Sequence, residues 1–230
     1  MKRKGLLSFL LFKALVVLLV SCTIVRHDNV ASGSATSDDQ RIFGFGARDF
    51  IHDPQQFAEA IWEPVVIPRI ESMAVDFLEL MAALESDENA ASRRYGFRLL
   101  DEGNLFNFAV KGQVRIFSVD TSSQSGTASL DFAPFDGNPD ALMSIGPVFR
   151  NTNTAVRDIQ DTISINDFRN QREFAHLARE LNNKVRDTVV NDIDFARHIG
   201  EEMEIIGAFT YSGRGSTVEI VPVRISFIPE

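Results

Sequence analysis

Cysteine is almost absent from this 230-residue chain, which holds only Cys22. One thiol excludes an intrachain disulfide framework and any metal site built on several thiolates. Aromatic rings with a polar handle are nearly as scarce: two Tyr and one Trp stand beside 19 Phe. A carbohydrate platform or a protein hot spot favours rings that can also hydrogen-bond, so most of these phenylalanines are expected in a core. The histidines, His27, His52, His176 and His198, are scattered, with no HExxH arrangement and no pair at metal-ligand spacing. No zinc site is expected, and His176 reads as a surface or interface residue. There is no Gly-x-Ser-x-Gly elbow to expose a serine nucleophile. Gly44-Phe45-Gly46 and Gly213-Arg214-Gly215 are too short to cradle a nucleotide phosphate and read as turns. Asp136-Gly137-Asn138-Pro139-Asp140 lacks the later bidentate glutamate of a calcium loop and reads as a turn as well. No nucleophile, base and orienter can be assembled, so no catalytic residue, cofactor or metal ligand is assigned, and a non-enzymatic protein is expected.

A basic balance is missing too. Lys and Arg number 23 against 32 Asp and Glu, a net charge of −9. Four of the bases, Lys2, Arg3, Lys4 and Lys13, lie in the first 21 residues, which contain no acid. With that segment removed, 19 bases face 32 acids, a balance of −13, and a nucleic-acid footprint is excluded. What the chain does have is 44% hydrophobic and 24% charged residues, enough to bury a core and too mixed for a disordered or multi-span membrane protein.

Residues 1–22 read MKRKGLLSFLLFKALVVLLVSC, a basic start, an apolar stretch and a small residue before the cysteine. That pattern is a secretory signal. The uninterrupted apolar run Ala14 to Val20 is far shorter than the roughly 20 residues a membrane-spanning helix needs. Leu19-Val20-Ser21-Cys22 resembles the bacterial lipobox, at which a diacylglycerol is attached to the thiol before cleavage of residues 1–21. One acyl chain binds a membrane only marginally, whereas two or more anchor stably. The alternative is ordinary secretory cleavage that leaves Cys22 as a free thiol. Residues 22–40 follow as a tether rich in Ser, Ala, Gly and Asp, spanning on the order of 20–25 Å as a coil.

Beyond the tether two registers succeed one another. Residues 41–100 are helical in pattern: Asp53-Pro54 is a cap and first turn, and Ile70, Met73, Ala74, Phe77, Met81 and Leu84 form one stripe of a second helix. Ser86 is expected to cap a third helix that ends at Gly96. Residues 101–230 then alternate. Phe106, Phe108, Val110, Val114 and Ile116 form one strand, Ala128, Leu130 and Phe132 a second, and Leu142 to Val148 a short third. A long helix over 167–190 carries Phe174, Leu177, Ala178, Leu181, Val185 and Val189. Met203, Ile205, Gly207, Phe209 and Tyr211 make a fourth strand. Val218 and Ile220 open a fifth whose parity shifts at Pro222, the trace a bulge leaves. The expected class is α+β: a small five-stranded OB-like β-barrel with a helical subdomain and one long helix between strands.

From Ile145 to Asn182 the chain reads IGPVFRNTNTAVRDIQDTISINDFRNQREFAHLARELN. Gly146-Pro147-Val148, Asn153-Thr154-Ala155-Val156-Arg157-Asp158, Phe168-Arg169-Asn170-Gln171, Leu181-Asn182 and Pro222-Val223 resemble the recurring elements of the predicted periplasmic lipoproteins known as the domain of unknown function 2291 family. Trp62, Pro68 and the Ala-rich helix after them are similar to its N-terminal part. Two departures stand out: Asn153 occupies an expected glycine position, and Asn151-Thr152 look like an addition. Asn tolerates a left-handed backbone best among non-glycine residues, so the turn is expected to survive. The resemblance implies a helical subdomain joined to a small barrel and an origin in gene clusters for ribose-type sugar uptake. It implies no established activity.

The polar constellation that invites a binding role is Arg150, Arg157, Asp158, Asn166, Arg169, Asn170 and Gln171, with Trp62 as the ring that could line a cleft beside it. Planar amides, a carboxylate and guanidinium groups hydrogen-bond sugar hydroxyls or an acidic partner. The same set can pin a loop internally. Three functions are weighed: an envelope interaction module accessory to a ribose-type sugar ABC transporter, a small-sugar-binding lipoprotein, and an envelope hydrolase. The expected partners are the membrane, through lipid on Cys22, and transporter components or a small sugar.

Overall fold

A computed structural model describes residues 50–99, 105–150 and 153–228. The signal segment, the lipobox with Cys22, the tether and Gly44 to Gly46 lie outside the described residues.

The chain enters α1 (Pro54–Ile61) through Asp53, whose carboxylate accepts from the backbone N–H groups of Gln55 and Gln56, with Pro54 in the first turn. A π-helical turn, Trp62–Val66, leads into α2 (Ile67–Met73). Here the sequence stripe breaks. Ala74 leaves the helix with extended backbone, and β1 (Val75–Asp76) pairs in parallel with Val110 and Lys111. Asp76 then caps α3 (Phe77–Ser86) by accepting from Glu79 N–H at 3.0 Å. The single helix expected over these residues is therefore two, because a local capping acid and a two-residue strand pairing outweigh a continuous apolar stripe. The cap of α4 (Glu88–Tyr95) is Asp87 rather than Ser86.

β2 (Phe106–Asp120) is 15 residues long and pairs antiparallel with both β3 (Thr127–Phe132) and β5 (Glu202–Tyr211). β3 pairs antiparallel with β4 (Ala141–Ser144), β4 pairs in parallel with β6 (Glu219–Phe227), and β6 pairs antiparallel with β5. Hydrogen-bonded neighbours thus return to their start through β2, β3, β4, β6 and β5. With β1 the sheet has six strands, one more than the sequence pattern predicts. β4 is also shorter and earlier than the stretch Leu142 to Val148.

The parity shift at Pro222 is real. Ile206 faces Arg224 while Gly207 faces Pro222, so Val223 is the extra residue of a bulge. Gly207 is required there, since a Cβ would lie 2.5 Å from Ile220 Cγ2 and 2.6 Å from the Val221 carbonyl oxygen.

Helices and sheet share one hydrophobic core. Phe77 of α3 stacks on Phe132 of β3 at 4.1 Å between ring centroids, and Phe108, Phe209 and Tyr211 meet beneath. The long connection between β4 and β5 holds α5 (Ala155–Asp158), a 3-10 turn (Ile165–Asp167), α6 (Gln171–Val185) and a π-helical turn (Arg186–Val190). α6 packs on α1, where Lys184 pairs with Glu59 at 2.7 Å. It starts later than predicted because Phe168 is extended and Asn170 is the cap, and the α-helical register ends at Val185 rather than 190. Among the described residues no helix is long and apolar enough to cross a membrane.

Candidate functional site

Leaving β4, the chain is strapped to the β2–β3 turn. Ile145 and Gly146 N–H both donate to the Gly126 carbonyl, and Val148 N–H donates to the Gln124 carbonyl. Gly146 is dictated by this approach, because a Cβ would sit 2.3 Å from Gly126 N. Its backbone fixes the course of residues 147–150 over the surface of α6.

Behind the strap lies a knot of polar side chains. Glu219 at the start of β6 accepts from Ser144 Oγ at 2.7 Å and from Asn153 Nδ2 at 3.3 Å, and Arg150 Nη1 approaches it at 3.4 Å. Asn153 Nδ2 is also 3.1 Å from Ser144 Oγ. Asn182 Nδ2 on α6 donates to the Asn153 carbonyl at 2.7 Å. Asn153 does not take the left-handed backbone expected of it, since Phe135 is the only described non-glycine residue with positive φ. Asparagine is used here for its side chain.

Arg157 and Asp158 follow the loop-pinning alternative of the sequence analysis rather than facing a cleft. Arg157 is 8% exposed. Its Nε donates to Asp158 at 2.7 Å, its Nη1 donates to the Phe174 carbonyl at 3.0 Å, and its guanidinium lies 3.9 Å from the Phe174 ring centroid. Asp158 in turn accepts from Thr154 Oγ1 at 2.6 Å. Arg157 thus joins α5 to α6 through Nη1 and its stacked face, while its remaining bonds and those of Asp158 close within α5 and its cap residue Thr154. Trp62 is 1% exposed inside the core and lines no cleft. Asn170 is the cap of α6, accepting from Arg172 and Glu173 N–H, while Gln171 is exposed in its first turn. Asn166 is exposed on the 3-10 turn, and Arg169 reaches across to His52. Only Arg150 of the expected set faces the cavity described next.

That cavity is a groove of about 620 Å³ between the strap, residues 147–150 with Asn153 and Thr154, and one face of α6. Its far wall is a stripe of α6 in which Arg172, Arg179 and the following Arg186 recur every seven residues. Seven residues nearly complete two turns, so the three fall on one face. Ala175, Ala178, Val148 and Phe149 supply apolar surface between them. Arg186 is committed: it grips Asp187 through Nε at 2.7 Å and Nη2 at 3.0 Å, and Nη1 donates to Asn183. That hydrogen-bonded contact raises the Arg186 pKa and holds the Asp187 carboxyl below its ordinary range. Glu180, the acid in the lining, accepts from Asn183 and stands 2.8 Å from His176. Arg172 and Arg179 are exposed, and among the described residues neither guanidinium has a partner.

One buried group in the lining is also left over. Asn182 is 8% exposed and its Nδ2 is used, but its Oδ1 accepts from nothing. A buried acceptor without a donor costs about 1–3 kcal/mol. The sequence pointed to Leu181-Asn182 only as part of a motif. The seven-residue Arg spacing was visible there, but a charged stripe on a helix ordinarily reads as a solvated face.

The profile of the predicted periplasmic lipoprotein family, domain of unknown function 2291, matches residues 12–226. The chain belongs to this family. The lipoprotein is thus an envelope component, lipid-anchored and facing the periplasm or the cell exterior. Its backbone is similar to a crystal structure of an OB-fold protein from Thermotoga maritima, with a TM-score of 0.62 at 18% identity over 77% of this chain and 99% of that one. The likeness establishes an OB-type fold, in agreement with the cyclic order of β2, β3, β4, β6 and β5. No curated protein matches the lipoprotein.

Proposed function

We propose that this lipoprotein is a non-enzymatic binding module, moored through lipid on Cys22, whose binding surface is the groove between the strap and α6. In this reading the five-strand ring is a small barrel that serves as a rigid scaffold. Its setting is beside a ribose-type sugar ABC transporter, to which it is accessory.

The observation that carries the reading is the groove itself. Its volume is in the range of small-ligand sites, and its walls are fixed by backbone hydrogen bonds on one side and a capped helix on the other. Binding fits the lining better than hydrolysis does. His176 and Glu180 form a pair, but the one hydroxyl among the described residues of the lining, on Thr154, already donates to Asp158. Anchoring adds to the effect of a modest affinity, because confinement near the bilayer raises the effective concentration of membrane partners.

The test is affinity isolation of the lipidated protein from envelope membranes with mild detergent, beside a variant carrying Arg172→Glu and Arg179→Glu. The reading expects sugar-transporter subunits with the native protein and their loss, by about tenfold, with the variant. Consistent absence of transporter subunits would refute the transport setting. Equal recovery by both proteins would refute the groove as the surface used.

A further inference from the structure

The outer face of α6 is basic on a body that is not. Arg172 and Arg179 are exposed and, among the described residues, meet no carboxylate, although the chain carries a net charge of −9. The acids of the same helix are turned aside. Glu173 and Glu180 each follow one of these arginines by a single position, about 100° round the helix. Glu173 accepts from the Arg169 backbone N–H, and Glu180 accepts from Asn183 and stands beside His176. Two unanswered guanidinium groups two helical turns apart, about 10 Å along the axis, therefore leave positive potential on one side of an acidic molecule.

Charge alone does not choose between a lipid surface and an acidic protein. The place where the chain joins this body does. With lipid on Cys22 the anchor reaches the body through Phe50, and the chain enters there beside the start of α6. Ile51 N–H donates to the Asp167 carbonyl at 2.8 Å, and Arg169, next to the Asn170 cap, reaches His52. The attachment to the bilayer thus draws on the end of the molecule at which the basic stripe begins. Exposed apolar side chains flank that stripe: Phe50 is 45% exposed where the chain enters, and Val148 is 51% exposed on the strap. Arginine beside exposed apolar side chains suits the head-group level of a membrane. An acidic protein partner gives no reason for the basic face to lie where the anchor enters.

We infer that this lipoprotein docks the outer face of α6 on anionic phospholipid, with Arg172 and Arg179 meeting head-group phosphates and the groove opening at the bilayer surface. Only charges within a Debye length of the head groups, about 8 Å, count strongly, so the acids on the remaining surface orient the body rather than prevent contact. The inference rests on the lipid at Cys22 in the proposed reading, and not on a transporter partner.

The experiment places the full lipidated protein in vesicles of phosphatidylcholine alone, or of two parts phosphatidylcholine to one of phosphatidylglycerol. Ala175→Cys, exposed on the face between the arginines, carries a fluorophore that head-group-labelled lipid quenches on contact. Cys22 is the only other cysteine and is acylated, so the label is unique. Quenching on the mixed vesicles and not on phosphatidylcholine alone supports the inference. So does a docked-to-undocked ratio at least tenfold lower with Arg172→Gln and Arg179→Gln, since each arginine at an anionic surface contributes about fivefold. Both positions are exposed, and Arg172→Lys with Arg179→Lys should restore the quenching, because a lipid surface attracts charge whatever its shape. Equal quenching on the two vesicles, or in the native and double-Gln proteins, overturns the inference. So does quenching that rises with protein density rather than with lipid charge, which would assign the face to a second copy. Flotation with the vesicles without quenching overturns it while leaving the anchor intact, and transporter recovery that still depends on Arg172 and Arg179 would then make the face a protein-binding surface. Failure to float with either vesicle removes the anchor and the inference together.

Discussion

Arg157 pins a loop internally, the second of the two roles the sequence left open for its cluster. Its guanidinium lies among the groups sequence reasoning expected, but each donor closes an internal contact to Asp158, to the Phe174 carbonyl or to the ring above it. Arg157→Gln should destabilise the fold by about 2–4 kcal/mol, because the half-buried Asp158 carboxylate loses its counter-ion and the Phe174 carbonyl its donor. Arg157→Lys should recover little, since an ammonium cannot span both acceptors. Urea denaturation measures both. Gly146 makes a second residue-level case: Gly146→Ala should lower the denaturation midpoint markedly, as its Cβ meets Gly126 backbone at 2.3 Å. Gly137→Ala, which meets nothing within 4 Å, should cost only its φ of 83°. Tyr211 supplies a pH prediction. Burial raises its phenol above the ordinary 10.0, helped by the charge of Glu88. The unfolded chain therefore releases that proton first, and this contribution to stability, intact below about pH 10, is lost as pH rises through the folded value. Absorbance titration of a Tyr95→Phe variant, which leaves Tyr211 as the one tyrosine, should show a midpoint above 10, and a midpoint at or below 10 would contradict the assignment.

Among elements, α6 decides the geometry of the groove, and its ends are set by particular side chains. Asn170→Ala removes the acceptor for Arg172 and Glu173 N–H and should cost about 1 kcal/mol, read by denaturation. The groove's affinity should fall as well, since Arg172 sits in that first turn. The apolar stripe of α6 was legible because Phe174, Leu177, Ala178, Leu181 and Val185 are all buried. Its ends were not, because a stripe carries no information on where a cap or a π-helical turn interrupts it. The helix expected through Ile70 and Leu84 failed for the related reason that β1 exists only by pairing with β2, thirty-odd residues further on. Strands with one buried face were readable by alternation, including the shift at Pro222. The groove was not, for its two walls are separated in sequence and meet through tertiary contacts such as that of Asn182 Nδ2 with the Asn153 carbonyl, while the strap is itself held by the Gly126–Gly146 contact.

On the scale of the molecule, an acidic OB-type body with helices packed on its sheet carries a confined patch of unpaired base beside a strap. Its family places it at the envelope, and under the proposed reading membrane attachment would make a modest groove effective. Without lipid that advantage disappears, whatever the groove accepts. The most direct measurement is mass spectrometry of the N-terminal peptide of the native protein. The account predicts that it begins at Cys22 and carries at least two acyl chains. A bare thiol at Cys22, or a product that still begins at Met1, would contradict it.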